Sequence, residues 1–190
     1  GKLLADHLNA RVDGQTDGKL KVGLFPGPAN SVLAQQYQQG FLARYQREKI
    51  ALVATHYTRH EYEEVQQTLS RFLNHNLDLD VLVTSGYVAE IASDLLKRMS
   101  LEDEVSLLSL NLTAQVYREM KRGTVSGAVT SSPVLQGKLA IDMAVKLLEK
   151  KLHYHEVTPK LKILSRDTID DFDYADVFAP YGYKEILEVN

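Results

Sequence analysis

Short apolar runs alternate along the chain with longer stretches whose apolar residues recur every three or four positions. The runs at 21–25 (KVGLF), 50–54, 81–84, 105–110 and 126–130 read as strands. Each is followed by a helical period: Val32, Leu33, Tyr37, Phe41 and Tyr45 after the first, then Val65, Leu69, Phe72 and Leu73 after the second. Further helices are expected at about 88–99, 115–122 and 134–151, and one with Leu3, Leu4, Leu8 and Val12 opens the chain. The punctuation agrees. Asp13-Gly14 and Asp17-Gly18 mark a turn, Pro26-Gly27-Pro28 stops the first strand, Ser31 can cap the next helix, and Gly123 ends another. Repeated strand–helix units predict an α/β fold: a doubly wound parallel sheet, Rossmann-like, with helices on both faces.

Two regions depart from this rhythm. In the long helix Leu135, Leu139, Met143 and Leu147 make one stripe, and Ala140, Ala144 and Leu148 the next. So wide an apolar face calls for a substantial partner surface or drives self-association. Beyond it, 159–164 reads as one more strand. Residues 167–190 have no clear period, only an acidic run and then Phe178, Tyr181 and Tyr183.

The 190 residues are 44% apolar and 25% charged, with 22 Lys+Arg against 25 Asp+Glu and a net charge of −3. No basic stripe occurs, so nucleic-acid binding by counterion release is not expected. No apolar run is long enough to span a bilayer. Cysteine is absent, which removes thiolate nucleophiles, disulfides and cysteine metal clusters together.

On open parallel sheets, ligands bind beyond the carboxyl ends of the strands, and the residues there carry little reactive chemistry. Neither G-x-G-x-x-G nor the P-loop pattern occurs. Ser131 and Ser132 follow a strand, but G-x-S-x-G is missing, and the only later histidines are His153 and His155 beyond the long helix. His56 and His60 are four apart near Glu61 and Glu64. Because His56 directly follows a strand, a shared metal is not expected, and both read as surface or dipole-satisfying histidines. The acidic run 170–176 lacks EF-hand spacing. No catalytic residue, cofactor or metal is therefore expected. What remains is a set of neutral hydrogen-bonding groups and a ring: Asn30, Ser85, Tyr87, Asn111, Thr113, Ser132 and Gln136. Such groups recognise a small polar solute without transforming it, and a tyrosine face can also receive a methylated ammonium group.

The order of features resembles the second lobe of type 1 periplasmic binding proteins. Gly1-Lys-Leu-Leu-Ala-Asp-His-Leu is similar to the helix that opens that lobe. Gly40-Phe41 resembles the family's helix-borne GF, Tyr117-Arg-Glu-Met-Lys-Arg-Gly123 its late helix, and Gln136-Gly-Lys-Leu-Ala140 the segment after the last hinge crossing. Within the family, Phe25-Pro-Gly-Pro-Ala-Asn30, Gln115-Val-Tyr-Arg118 with Lys121-Arg-Gly123, and Pro180-Tyr-Gly182 are similar to a periplasmic sensor of trimethylamine N-oxide that works with a sensor kinase.

The resemblance implies a lobe over 1–131, a return segment over 132–165 that packs on an N-terminal lobe outside these residues, and an irregular tail over 166–190. It also implies a non-catalytic periplasmic receptor whose closed form is read by a sensor histidine kinase ectodomain or a membrane permease. The expected ligand contacts are Asn30, Tyr87, Asn111 and Ser132 in the cleft and Gln136 near the last crossing. Sugar-binding relatives place charged clamps where Gln35, Gly86 and Asn111 stand here, which lowers a sugar ligand. Two other readings share the fold: a sugar-binding ABC transport receptor and the effector-binding core of a LacI-type transcription regulator. An α/β enzyme is a third, disfavoured by the lack of a titratable pair.

Overall fold

A computed structural model describes residues 1–12, 18–152, 154–180 and 182–184. Helix α1 (Lys2–Val12) leads into strand β1 (Leu20–Gly27), after which helices and strands alternate: α2 (Val32–Leu42), β2 (Ile50–Tyr57), α3 (Tyr62–His75), β3 (Val81–Thr84), α4 (Gly86–Met99), β4 (Ser106–Ser109), α5 (Ala114–Arg122), β5 (Gly127–Thr130) and α6 (Pro133–Leu148). Strand β6 (Lys162–Ser165) and the one-turn helix α7 (Tyr174–Val177) follow. The sheet order is β2-β1-β3-β4-β5-β6. The first five strands run parallel, with Leu20 opposite Ile50 and Phe25 opposite Thr84, and β6 returns antiparallel to β5. Asp13, Gly14, Asp17, His153 and Tyr181 lie outside the described residues.

Alternation along the strands divides the core into two layers. Val22, Leu24, Val81, Val83 and Val129 join Leu4, Leu8 and Phe41 of α1 and α2 on one face. Phe25, Leu82, Leu107 and Ala128 join Leu69, Phe72, Leu96 and Met120 of α3, α4 and α5 on the other. The chain therefore winds onto one face after β1 and onto the other after β2. The reversal of strand order there opens a crevice between the carboxyl ends of β1 and β3.

Local signals act where the sequence places them. Ser31 accepts a hydrogen bond from the Ala34 N–H at 3.3 Å and so starts α2. Gly123 adopts φ +87° and closes α5, its N–H returning to Glu119 and Met120 carbonyls. Helix α5 is fastened to α4 by a buried carboxylate. Glu119, 2% exposed, accepts from Ser93 Oγ at 3.0 Å and Lys97 Nζ at 2.9 Å on one oxygen, and from Gln115 Nε2 and Arg122 Nη1 on the other. Burial alone would raise its pKa, but the hydrogen bonds from Lys97 and Ser93 prevail and hold it below the usual carboxylate value.

Two segments end differently from the sequence expectation. Helix α6 stops at Leu148, and Lys150 takes a left-handed conformation with φ +55°. No residue of α6 is buried: Ile141 is 67% and Leu148 82% exposed on the side that finds no partner. The tail is less irregular than its sequence suggests, since Phe172, Tyr174 and Phe178 gather around the Tyr117 ring of α5 with centroids 5.6–5.7 Å away.

Candidate ligand-binding site

The crevice where the strand order reverses is a cavity of about 220 Å³, built from the ends of four strands. Pro26 near the end of β1 and Pro28 just past it contribute, with His60 after β2, Ser85 and Tyr87 after β3, and Asn111 and Thr113 after β4; Tyr37 of α2 closes one side. Among the described residues, no Asp, Glu, Lys or Arg lines it. A second, larger cavity of about 530 Å³ continues from it, sharing Leu33, Tyr37 and Asn111 and reaching Ser131, Gln136 and Leu161.

Each polar side chain has a distinct local role. Asn111 Oδ1 accepts the Gly86 N–H at 2.8 Å, which leaves its amide nitrogen available to donate. Gly86 permits this approach, since a Cβ there would lie 2.7 Å from Asn111 Nδ2. Thr113 is occupied: its hydroxyl caps α5 at Val116 and donates to Glu90 Oε1 at 2.7 Å. The Tyr87 ring stands half-buried at the first turn of α4, 4.9 Å from the exposed ring of His60. Tyr37 is also half-buried, and burial raises the pKa of its phenol, so it remains a neutral donor. Gly27 has φ +115°, a backbone conformation that side-chain-bearing residues rarely adopt, and it is this angle that calls for glycine at the end of β1, since a Cβ there would make only ordinary contacts with Ser85 and Ala34.

The two histidines four apart face different places. His56 turns into the core side, its ring 5.1 Å from Phe25 and 5.3 Å from Phe72, where burial lowers its pKa. His60 faces the crevice instead. Among the described residues, no three His, Cys, Asp or Glu side chains converge as a metal site.

Of the five expected contacts, Tyr87 and Asn111 come together in the crevice. Gln136 lines the adjoining cavity, where its Nε2 donates to the Ser131 carbonyl at 2.6 Å. Asn30 is exposed in the turn ahead of α2 and lines neither cavity. Ser132 also lines neither. Its backbone is left-handed at φ +52°, ψ +61°, it precedes Pro133, and its N–H donates to Thr130 Oγ1. Tyr37 and His60 were not expected at the site. Tyr37 falls on the same helical stripe as Phe41 and reads as core, while His60 depends on how the loop after β2 turns, for which periodicity carries no signal.

Residues 1–152 match the periplasmic binding protein domain family. The periplasmic protein TorT of Escherichia coli strain K12 is 26% identical over 167 residues, covering 88% of this chain and 48% of TorT. The chain thus spans about half the length of the curated relatives it matches. An ABC transporter solute-binding protein from Bradyrhizobium sp. BTAi1, solved with bound Bis-Tris, superposes with TM-score 0.89 at 26% identity, over 97% of this chain and 55% of that one. TorT in complex with the TorS sensor domain in the presence of trimethylamine N-oxide has the same fold, with TM-score 0.83 at 23% identity over 95% of this chain and 59% of that one. The α/β architecture, the strand-end crevice and these matches agree: the chain belongs to the periplasmic binding protein domain family, in its type 1 form, and is similar to TorT.

Proposed function

We propose that the chain is the second lobe of a two-lobed periplasmic receptor for a small polar solute, with trimethylamine N-oxide as the leading candidate. The observation that carries this reading is the lining of the crevice. Rings from Tyr37, Tyr87 and His60 stand beside uncharged hydrogen-bonding groups, with no carboxylate or fixed cation among them. Aromatic faces attract alkylated nitrogen centres, and neutral donors suit a ligand with little net charge. The ligands named with two similar proteins, Bis-Tris and trimethylamine N-oxide, each have a nitrogen bonded to three carbons, which supports the same class.

Tyr87 and Asn111 hold the solute from this lobe. Gln136 approaches the solute from the adjoining cavity, and Asn30 and Ser132, outside both cavities, take part once a second lobe completes the enclosure. Residues 132–165 form the return segment, and the uncovered apolar side of α6 supports its docking on that lobe. Binding favours the closed arrangement of lobes, and a sensor-kinase ectodomain distinguishes closed from open. No covalent step is required.

A thermal-shift panel on the two-lobed protein tests this reading, with trimethylamine N-oxide, quaternary amines and pentoses as ligands. A receptor is stabilised by RT ln(1 + [L]/Kd), about 2.7 kcal/mol at a hundredfold excess over Kd. A shift with pentoses and none with methylated amines would transfer the assignment to a sugar receptor.

A further inference from the structure

Three buried side-chain hydroxyls among the described residues have no hydrogen-bond partner, and all three stand at one end of the sheet: Thr58 Oγ1 past β2, Thr84 Oγ1 at the end of β3, and Ser85 Oγ at the start of α4. Buried polar groups are almost always paired, so each such hydroxyl calls for an explanation. Ser85 is the one that lines the crevice, and it is only 7% exposed.

Its position sharpens the point. Ser85 is the residue before a 14-residue helix, where serine ordinarily turns its hydroxyl back onto an amide of the first turn; here the side chain makes no such bond. The Gly86 N–H has Asn111 Oδ1 as its acceptor. The first turn of α4 holds no acidic residue to offset the positive end of the helix dipole. A hydrogen-bond donor, a helix amino end and a neutral amide donor from Asn111 therefore meet on one wall. The rings of Tyr87 and His60 lie beside them. The hydroxyl oxygen itself is closed to solvent, 3.6 Å from where a Cβ on Gly27 would stand, so the serine side chain turns about its χ1 bond to meet a ligand in the crevice.

Resting on the receptor reading above, we infer that Ser85 is a specificity-determining residue: its hydroxyl donates to a polarised, partly or fully anionic oxygen of the ligand, while the alkylated nitrogen of the same ligand faces the rings. The ligand class is a small zwitterion or strongly dipolar amine, such as an amine N-oxide or a trimethylated amino acid. A tetraalkylammonium ion satisfies the rings and leaves Ser85 unpaired, so the wall discriminates against it. Sites built to bond a ligand oxygen reject the analogue that lacks it, because the buried group then stays unsatisfied.

Calorimetric titration of the two-lobed protein with trimethylamine N-oxide and with tetramethylammonium chloride tests the assignment, using wild type and Ser85→Ala. The wild type binds the N-oxide more tightly. Ser85→Ala weakens N-oxide binding about tenfold, the scale of one hydrogen bond to a charged group, and narrows the preference between the two probes. The unliganded variant melts at the same temperature as wild type or higher, because an unsatisfied buried hydroxyl has been removed. A lower melting temperature with an unchanged preference would overturn the inference and make Ser85 a structural cap. A wild-type protein that binds neither probe would overturn the amine-receptor reading itself, and this inference with it. A wild type that binds both probes equally, or a variant that keeps the full preference, would overturn only the role of Ser85.

Discussion

The two ends of helix α4 solve opposite problems. At its carboxyl-terminal half, Ser93 and Lys97 close on Glu119, and both carboxylate oxygens are engaged among the described contacts. At its amino end, Ser85 is buried with no partner and Tyr87 leans over an open crevice. The first arrangement stabilises the fold by meeting every polar demand. The second leaves a demand unmet, a small loss of stability that the proposed ligand would make good. On the proposed reading, one helix thus divides between holding the fold together and meeting a solute.

That division is open to attack from either end. The largest effect is expected at the satisfied end. Glu119→Ala removes a buried carboxylate and strands the Ser93 hydroxyl, and it should lower unfolding free energy by about 2–3 kcal/mol in denaturant titrations. The preference among amine ligands should be unchanged; a changed preference would mean that the two ends are not separate. At the open end, Tyr87→Ala should weaken binding of every N-methylated probe roughly tenfold by calorimetry, with a much smaller loss of stability. Equal losses in both quantities would make Tyr87 a packing residue.

The smallest effect is a pH dependence. Burial lowers the pKa of His56 from the ordinary 6.5, so the folded state favours neutral imidazole. Its stabilising contribution is present above the unfolded value and is lost as pH falls toward the lowered folded one. Glu119, also lowered, acts with the same sign at more acid pH. His56→Phe should therefore flatten the stability profile just below neutrality and leave the acid limb of Glu119 in place, as read from melting temperatures across pH.

The fold was legible because its signals are local. The short apolar run with Val22, Leu24 and Phe25, the helical stripe of Val65, Leu69 and Phe72, and the caps at Ser31 and Gly123 each report their own surroundings. Strand β6 was found, but its antiparallel direction depends on how 149–161 returns, which no periodicity encodes. Helix α7 is a single turn supported by distant Tyr117, too short to leave a pattern. The same contrast governs the site. Tyr87 and Asn111 follow strands directly, so strand positions locate them. Tyr37 shares its stripe with core residues, and His60 sits where loop direction decides. Asn30 is equally close to a strand end, yet the turn closed by the Ser31 N–H on the Pro28 carbonyl leaves it exposed and outside both cavities. That Ser85 lacks a partner is a statement about every neighbour at once, which a linear sequence cannot express.

Ser132 gives the lobe a bias in direction. A serine in the left-handed region costs energy that glycine would not, and the ring of the next residue, Pro133, fixes the backbone immediately after it. The sixteen-residue rod beyond therefore leaves the sheet along a set heading, like a spoke on a stiff hub. Because the chain comes back to pair β6 with β5, that rod is tied to the sheet at both ends, and turning it requires torsion at this stiff junction as well as in the segment that leads into β6.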